Sequence, residues 1–233
     1  MSVLNKIKYK LHLKNDLKRR LKIINHCKID VLFDIGANVG QYAQKMRNLG
    51  YNKKIISFEP LKADFEILKR AASTDKQWIV NNCALGHEDT VGFINISGSS
   101  DNSSILNMLP KHSESKAGLS YIAKQEIEIK KLDSIFGTFV ESENKIMLKI
   151  DTQGYEKNVI DGALESLKSI SILQLEMSIV PLYEGEMLLP EMVKYIENKG
   201  FQLFSLENGH YNRQTGQLLQ TDGIFVNKNL VEQ

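Results

Sequence analysis

The sequence is poor in cysteine, has no long apolar run and carries almost no net charge. Cys27 and Cys83 are the only cysteines in 233 residues. One disulfide at most is no framework, and a reducing, cytoplasmic setting is expected. No Cys/His cluster has zinc spacing, so no structural zinc is expected. No run approaches the roughly 20 apolar residues that a membrane-spanning helix needs, and the mean hydropathy is −0.26. The opening Met1-Ser2-Val3-Leu4-Asn5-Lys6 leads into lysine-rich sequence without an apolar core, so no secretory leader is expected. Internal repeats are missing too. What is present, 42% hydrophobic and 25% charged residues, is an ordinary globular composition that excludes disorder and fibres.

The formal net charge of +2 hides an asymmetry. Residues 1–28 hold seven Lys and two Arg against Asp16 alone, a net of +8, which leaves −6 for the other 205 residues. Leu4, Ile7, Leu11, Leu17, Leu21 and Ile24 recur at roughly helical spacing through this stretch. Residues 1–28 are therefore expected to form a basic amphipathic helical extension ahead of a domain at 29–233. The helix either lies on an anionic membrane, at the inner face, or meets an anionic substrate, or else it packs over the domain with its lysines in water. The acidic body argues against a specific nucleic-acid partner.

From residue 29 strand and helix signals alternate. Strand patterns occur at 31–35, 54–59, 78–84, 146–151, 170–176, 201–206 and 223–227, and helical ones at 40–49, 61–72, 154–168 and 187–199. Two stretches of period two, 90–96 and 126–130, read as paired half-exposed strands. The Ser-rich segment 98–125 between them has no sustained pattern and reads as an insertion or lid. This order predicts an α/β fold, a mostly parallel sheet with helices on both faces and an antiparallel last strand.

Asp34-Ile35-Gly36-Ala37-Asn38-Val39-Gly40 stands where the first strand turns into the first helix, the crevice in which such sheets bind ligands. Glu59 ends the second strand, where a carboxylate can hold both hydroxyls of a ribose. A dinucleotide site wants glycine where Asp34 stands. A carboxylate there repels a pyrophosphate but suits the cationic amino-acid end of S-adenosylmethionine (SAM), which has a ribose and no phosphate.

With Phe33 ahead of this turn, and with Phe58-Glu59-Pro60, Asn82-Cys83-Ala84-Leu85-Gly86 and above all Leu148-Lys149-Ile150-Asp151-Thr152-Gln153-Gly154-Tyr155-Glu156, the chain resembles the FkbM-type class I methyltransferases over roughly residues 30–227. Gln153 departs from the acidic residue of the family's segment. The resemblance implies a Rossmann-like, seven-stranded sheet and SAM-dependent O-methylation of hydroxyls on sugars, glycans or secondary metabolites. Expected cofactor contacts are Asp34, Gly36, Ala37, Asn38, Gly40, Glu59, Pro60, Cys83 and Ala84, with Ser103 and Ser104 at a serine element of the insertion.

Removing the proton of a hydroxyl calls for a base or a metal ion. Asp151, Glu176 and Asp222 fall at strand ends near the crevice. Asp151 is read as base or orienter of the acceptor, or else as a helix cap; Glu176 as base, metal ligand or ion-pair partner of Lys149; Asp222 as a third candidate or a turn residue. Lys149, in a central strand, needs a carboxylate partner, expected to be Glu176 or Asp151. His112 is either a base delivered by the lid or an exposed loop residue. A divalent ion has no motif of its own here. Two further functions stay open: an RNA methyltransferase, from the basic head, and a non-catalytic SAM-binding module.

Overall fold

The computed structural model describes the backbone of residues 3–115 and 119–230 and the side chains from residue 15 onward. In chain order the elements are α1 (Val3–His26), β1 (Val31–Ile35), α2 (Gln41–Asn48), β2 (Lys54–Phe58), α3 (Lys62–Ala72), β3 (Trp78–Asn81), β4 (Ala84–Leu85), β5 (Thr90–Ser97), α4 (Pro110–Ser113) and β6 (Tyr121–Lys130). Then follow α5 (Leu132–Ile135), β7 (Ile146–Ile150), α6 (Glu156–Asp161), β8 (Ile170–Ser178), α7 (Leu189–Glu197), β9 (Phe201–Glu207) and β10 (Gln220–Asn227).

Seven strands form one twisted sheet in the order β3-β2-β1-β7-β8-β10-β9. All neighbours pair in parallel except β10, which is antiparallel to both β8 and β9. This is the Rossmann-like class I methyltransferase architecture that the strand and helix alternation and the motifs imply. Short connections explain the reversal: no helix separates β9 from β10, so the chain turns back beside its predecessor.

The parallel central strands β1, β7 and β8 read apolar at the start and polar at the end on one face, and the antiparallel β10 reads the reverse. Leu32, Met147, Ile172 and Ile224 pack there with Ile23 and Ile24 of α1, Cys27 just after it, and Tyr42 and Met46 of α2. Two residues along, the same face carries Asp34, Lys149 and Gln174 in register, then Glu176 opposite Asp222 and Asp222 opposite Glu207. The other face, built on Phe33, Phe58, Leu148, Leu173 and Phe225, is apolar to its end and lies under α7. A polar row thus crosses one side of the sheet where a ligand would sit.

Three departures from the sequence reading have local causes. The strand expected at 78–84 breaks after Asn81, and Ala84–Leu85 pairs with β6 in a second sheet, β4-β6-β5. The helix expected at 154–168 ends at Asp161 before a close approach of two glycines: a Cβ on Gly162 would stand 1.8 Å from the Gly86 carbonyl. The segment 98–125 holds a 3-10 turn at Ser100–Asn102, α4 and the first residues of β6. It is tied down by antiparallel bridges from Ser104 to Asn95 and from Met108 to Tyr183.

Candidate active site

Gly36 takes a left-handed conformation, φ 73°, at the end of β1. A Cβ there would lie 1.9 Å from the backbone oxygen of Asp151, so only glycine lets the β1 turn close on the end of β7. The amides of Gly36 and Ala37 donate to the Phe58 carbonyl at 3.1 and 3.0 Å. This ties the turn to β2, whose next residue is Glu59. That carboxylate is buried and accepts from the amides of Asn38 and Leu61, both at 2.8 Å. Burial pushes its pKa up to about 7 despite those two bonds.

A cleft opens beside this turn. Its polar side is formed by Gly36, Asn38, Glu59, Ser103, Asp151 and Thr152, its apolar side by Phe58, Leu85, Ile94 and Ile105, and Pro60, Cys83 and Ala84 also line it. Gly40 does not reach it; a Cβ there would press on Leu68 and Trp78 at 2.9 Å. Ala37 lines the neighbouring cleft. Ser104 is buried beneath, its hydroxyl donating to the Gln153 carbonyl at 2.7 Å.

Asp34 departs from expectation. It is fully buried and lines neither cleft. Its Oδ1 meets Lys149 Nζ at 3.0 Å, because the register places the two residues side by side. Lys149 also donates to the carbonyls of Ile35 and Gly36 at 3.4 and 3.1 Å and stands 3.5 Å from Asp151 Oδ2. Burial works to lower the lysine's pKa, but Asp34 and Asp151 carry it upward, so the ammonium persists. Glu176, the other partner expected for Lys149, bonds elsewhere.

Gln153 is the hub that the sequence reading missed. At φ 56° it donates through one carboxamide nitrogen to Asp151 Oδ1 at 3.0 Å and Glu176 Oε2 at 2.6 Å. Its oxygen accepts from the Tyr183 hydroxyl at 2.7 Å. Gln220 supplies Glu176 with a second donor at 2.8 Å. Burial, then the charges of Asp151, Asp222 and Glu156, raise the Glu176 pKa well above the carboxylate range. Asp222 is pushed up to about 6 by burial, with Arg20 opposing. Asp151 does not cap α6, whose N-terminus carries no side-chain cap; Glu156 instead holds the turn ahead of the helix, its Oε1 accepting from the amides of Thr152 and Gly154 at 2.8 and 3.2 Å.

The second cleft, about 340 Å3, joins the first across Gly36, Asp101, Asp151 and Gln153. Glu176, Glu207, Asp222, Gln174 and Gln220 form its floor, and Asp16, Leu17 and Arg20 of α1 form a wall. Arg20 is buried and pairs with Glu207, with Asp222 at 3.8 Å. No spacing in the basic head distinguishes Arg20 from its neighbours, so only the packing of α1 reveals it. His112 lines neither cleft. It is buried beneath the insertion, 3.2 Å from Asn102 Oδ1 and with its ring 5.0 Å from that of Tyr183. Both readings of His112, lid base and exposed loop residue, are corrected by this packing. Among the described residues no group of three or more His, Cys, Asp or Glu is placed to hold a metal ion.

The FkbM methyltransferase domain matches residues 34–203, most of the chain. The chain belongs to the FkbM methyltransferase family. No curated protein matches it. Among solved structures, a candidate SAM-dependent methyltransferase from Listeria monocytogenes is 11% identical, with a TM-score of 0.50 over 92% of this chain and 97% of that one. SAM-bound fibrillarin from Aeropyrum pernix is 8% identical, with a TM-score of 0.47 over 85% and 66%. A candidate RNA methyltransferase from Pyrococcus horikoshii is 11% identical, with a TM-score of 0.44 over 84% and 74%. The first likeness shows the fold.

This FkbM-family protein is a SAM-dependent methyltransferase, and its first cleft fits the cofactor. The glycine at position 36 leaves the approach free of a Cβ. Each Glu59 oxygen accepts one backbone amide and has a lone pair left for a ribose hydroxyl. The apolar side suits a purine.

Proposed function

We propose that the protein transfers a methyl group from SAM to a hydroxyl of a sugar, glycan or secondary metabolite held in the second cleft. SAM supplies an electrophilic methyl group on a positively charged sulfur. The chain must then hold the acceptor oxygen in line with that methyl and take up the proton that the oxygen loses. Asp151 is the group this reading rests on: it borders both clefts, and its side chain is 36% exposed. Lys149 and Gln153 fix one carboxylate oxygen each. We assign Asp151 as proton acceptor, with Lys149 and Gln153 as positioning residues. Glu176, its pKa raised, serves as a neutral hydrogen-bonding group for the acceptor.

The polar wall supports a polyhydroxylated ligand, since carboxamides donate to and accept from hydroxyls and carboxylates accept from them. Carboxylates at Asp101, Asp151, Glu207 and Asp222 along this cleft oppose a phosphate backbone, which weakens the RNA reading. Labelled methyl transfer from SAM should be measured to lipid-linked glycan, free nucleotide sugars and total RNA. Transfer to a glycan or sugar supports the assignment; transfer to RNA alone refutes it. SAM binding without transfer to any of them would favour a binding module.

A further inference from the structure

Helix α1 is pinned by Ile23, Ile24 and Cys27 in the core and by Arg20 in the polar cleft. Its opposite flank remains open. Lys22 and His26 are exposed there, and the Arg19 side chain is 46% exposed. Strand β9, the edge of the large sheet, runs alongside and turns Phe204 and Leu206 outward at 59% and 48% exposure. Arg19 reaches across and donates to the Leu206 carbonyl at 2.8 Å.

Between the two elements lies a groove of about 830 Å3. Ile23, Cys27, Phe204 and Val226 give it an apolar floor. Its rim carries Arg19, Lys22, His26 and Lys228, and among the described residues no carboxylate lines it. We propose that this groove is a docking surface for an anionic phospholipid bilayer.

The charge pattern selects that partner. A cationic rim attracts lipid phosphates, and nine Lys and Arg against one Asp in residues 1–28 extend the same field. An aromatic ring and a leucine beside the cations gain by entering the headgroup boundary, which a nucleic-acid phosphate backbone does not offer them. Among the described residues no helix is long and apolar enough to cross a membrane, so the contact is peripheral. Arg19 in the groove and Arg20 in the second cleft are neighbours on one helix.

Sedimentation of the full chain with vesicles tests this, independently of the acceptor assignment. Vesicles of equal parts phosphatidylcholine and phosphatidylglycerol should carry the protein down; pure phosphatidylcholine should not, and added salt should release it. Lys22→Glu, a change of two charges, should weaken binding roughly tenfold or more. Phe204→Ser should weaken it too, and both variants should keep the parent thermal unfolding and SAM affinity. No sedimentation with the anionic vesicles, or equal sedimentation of both variants, overturns the proposal. So does retention of total RNA at the same salt in place of vesicle binding.

Discussion

Gln153 offers the sharpest test of the site's electrostatics. Its carboxamide nitrogen serves Asp151 at 3.0 Å and Glu176 at 2.6 Å; a bond to a charged acceptor such as Asp151 contributes about 1.5–3 kcal/mol, and one to the neutral Glu176 about 0.5–1.5 kcal/mol. Gln153→Glu keeps the shape and the bond from Tyr183 but removes both donors. An ionised Glu would face two carboxyl groups within hydrogen-bond range, a repulsion of about 4 kcal/mol per charged pair at an effective dielectric of 20. Taking up a proton at pH 7 costs about 3.7 kcal/mol against an ordinary Glu pKa of about 4.3, so the folded variant takes the proton. Its single O–H then restores one of the two lost bonds. The sign follows from linkage: the folded pKa is raised, so the penalty vanishes below about pH 4.3 and grows as pH rises. The stability difference between parent and variant should widen by about 1.4 kcal/mol per unit between about pH 5 and pH 7. Urea unfolding of both chains at a series of pH values measures it. A difference that stays constant with pH would refute the reasoning, because a purely steric defect binds no proton.

Glu59→Ala should weaken SAM binding by about 1–3 kcal/mol through lost bonds to the ribose, seen as a raised Kd in calorimetry. In the parent chain Glu59 has a pKa of about 7, and donation from hydroxyls favours its ionised form. SAM affinity should therefore fall as pH drops below about 7, with proton release on binding seen as an observed binding enthalpy that varies with the buffer's ionisation heat. Asp151→Asn should lower turnover and leave SAM affinity nearly unchanged; unaltered turnover removes Asp151 from the mechanism. Gly36→Ala meets the Asp151 carbonyl at 1.9 Å in a left-handed backbone and should lower the melting temperature markedly; a melting temperature at the parent value would show that the turn can shift.

The parallel sheet was legible because its strands are short apolar runs closed by glycine turns, and those signals are local. Gly36 and Glu59 were legible for the same reason: each sits at a fixed place relative to its own strand. Partner choice was not. Lys149 faces Asp34 because β1 and β7 lie side by side in one register, although 115 positions separate the two residues. Nothing in the spacing of Lys149, Asp151 and Glu176 distinguishes that pairing from the alternatives. The same holds for Arg20, one of nine basic residues in the first 28, which turns into the cleft because Ile23, Ile24 and Cys27 fix the rotation of α1. Gln153 shows the limit most clearly. In sequence it is a missing carboxylate; in space its neutral donor holds two carboxyl groups together, a role that a third acid could fill only by taking up a proton.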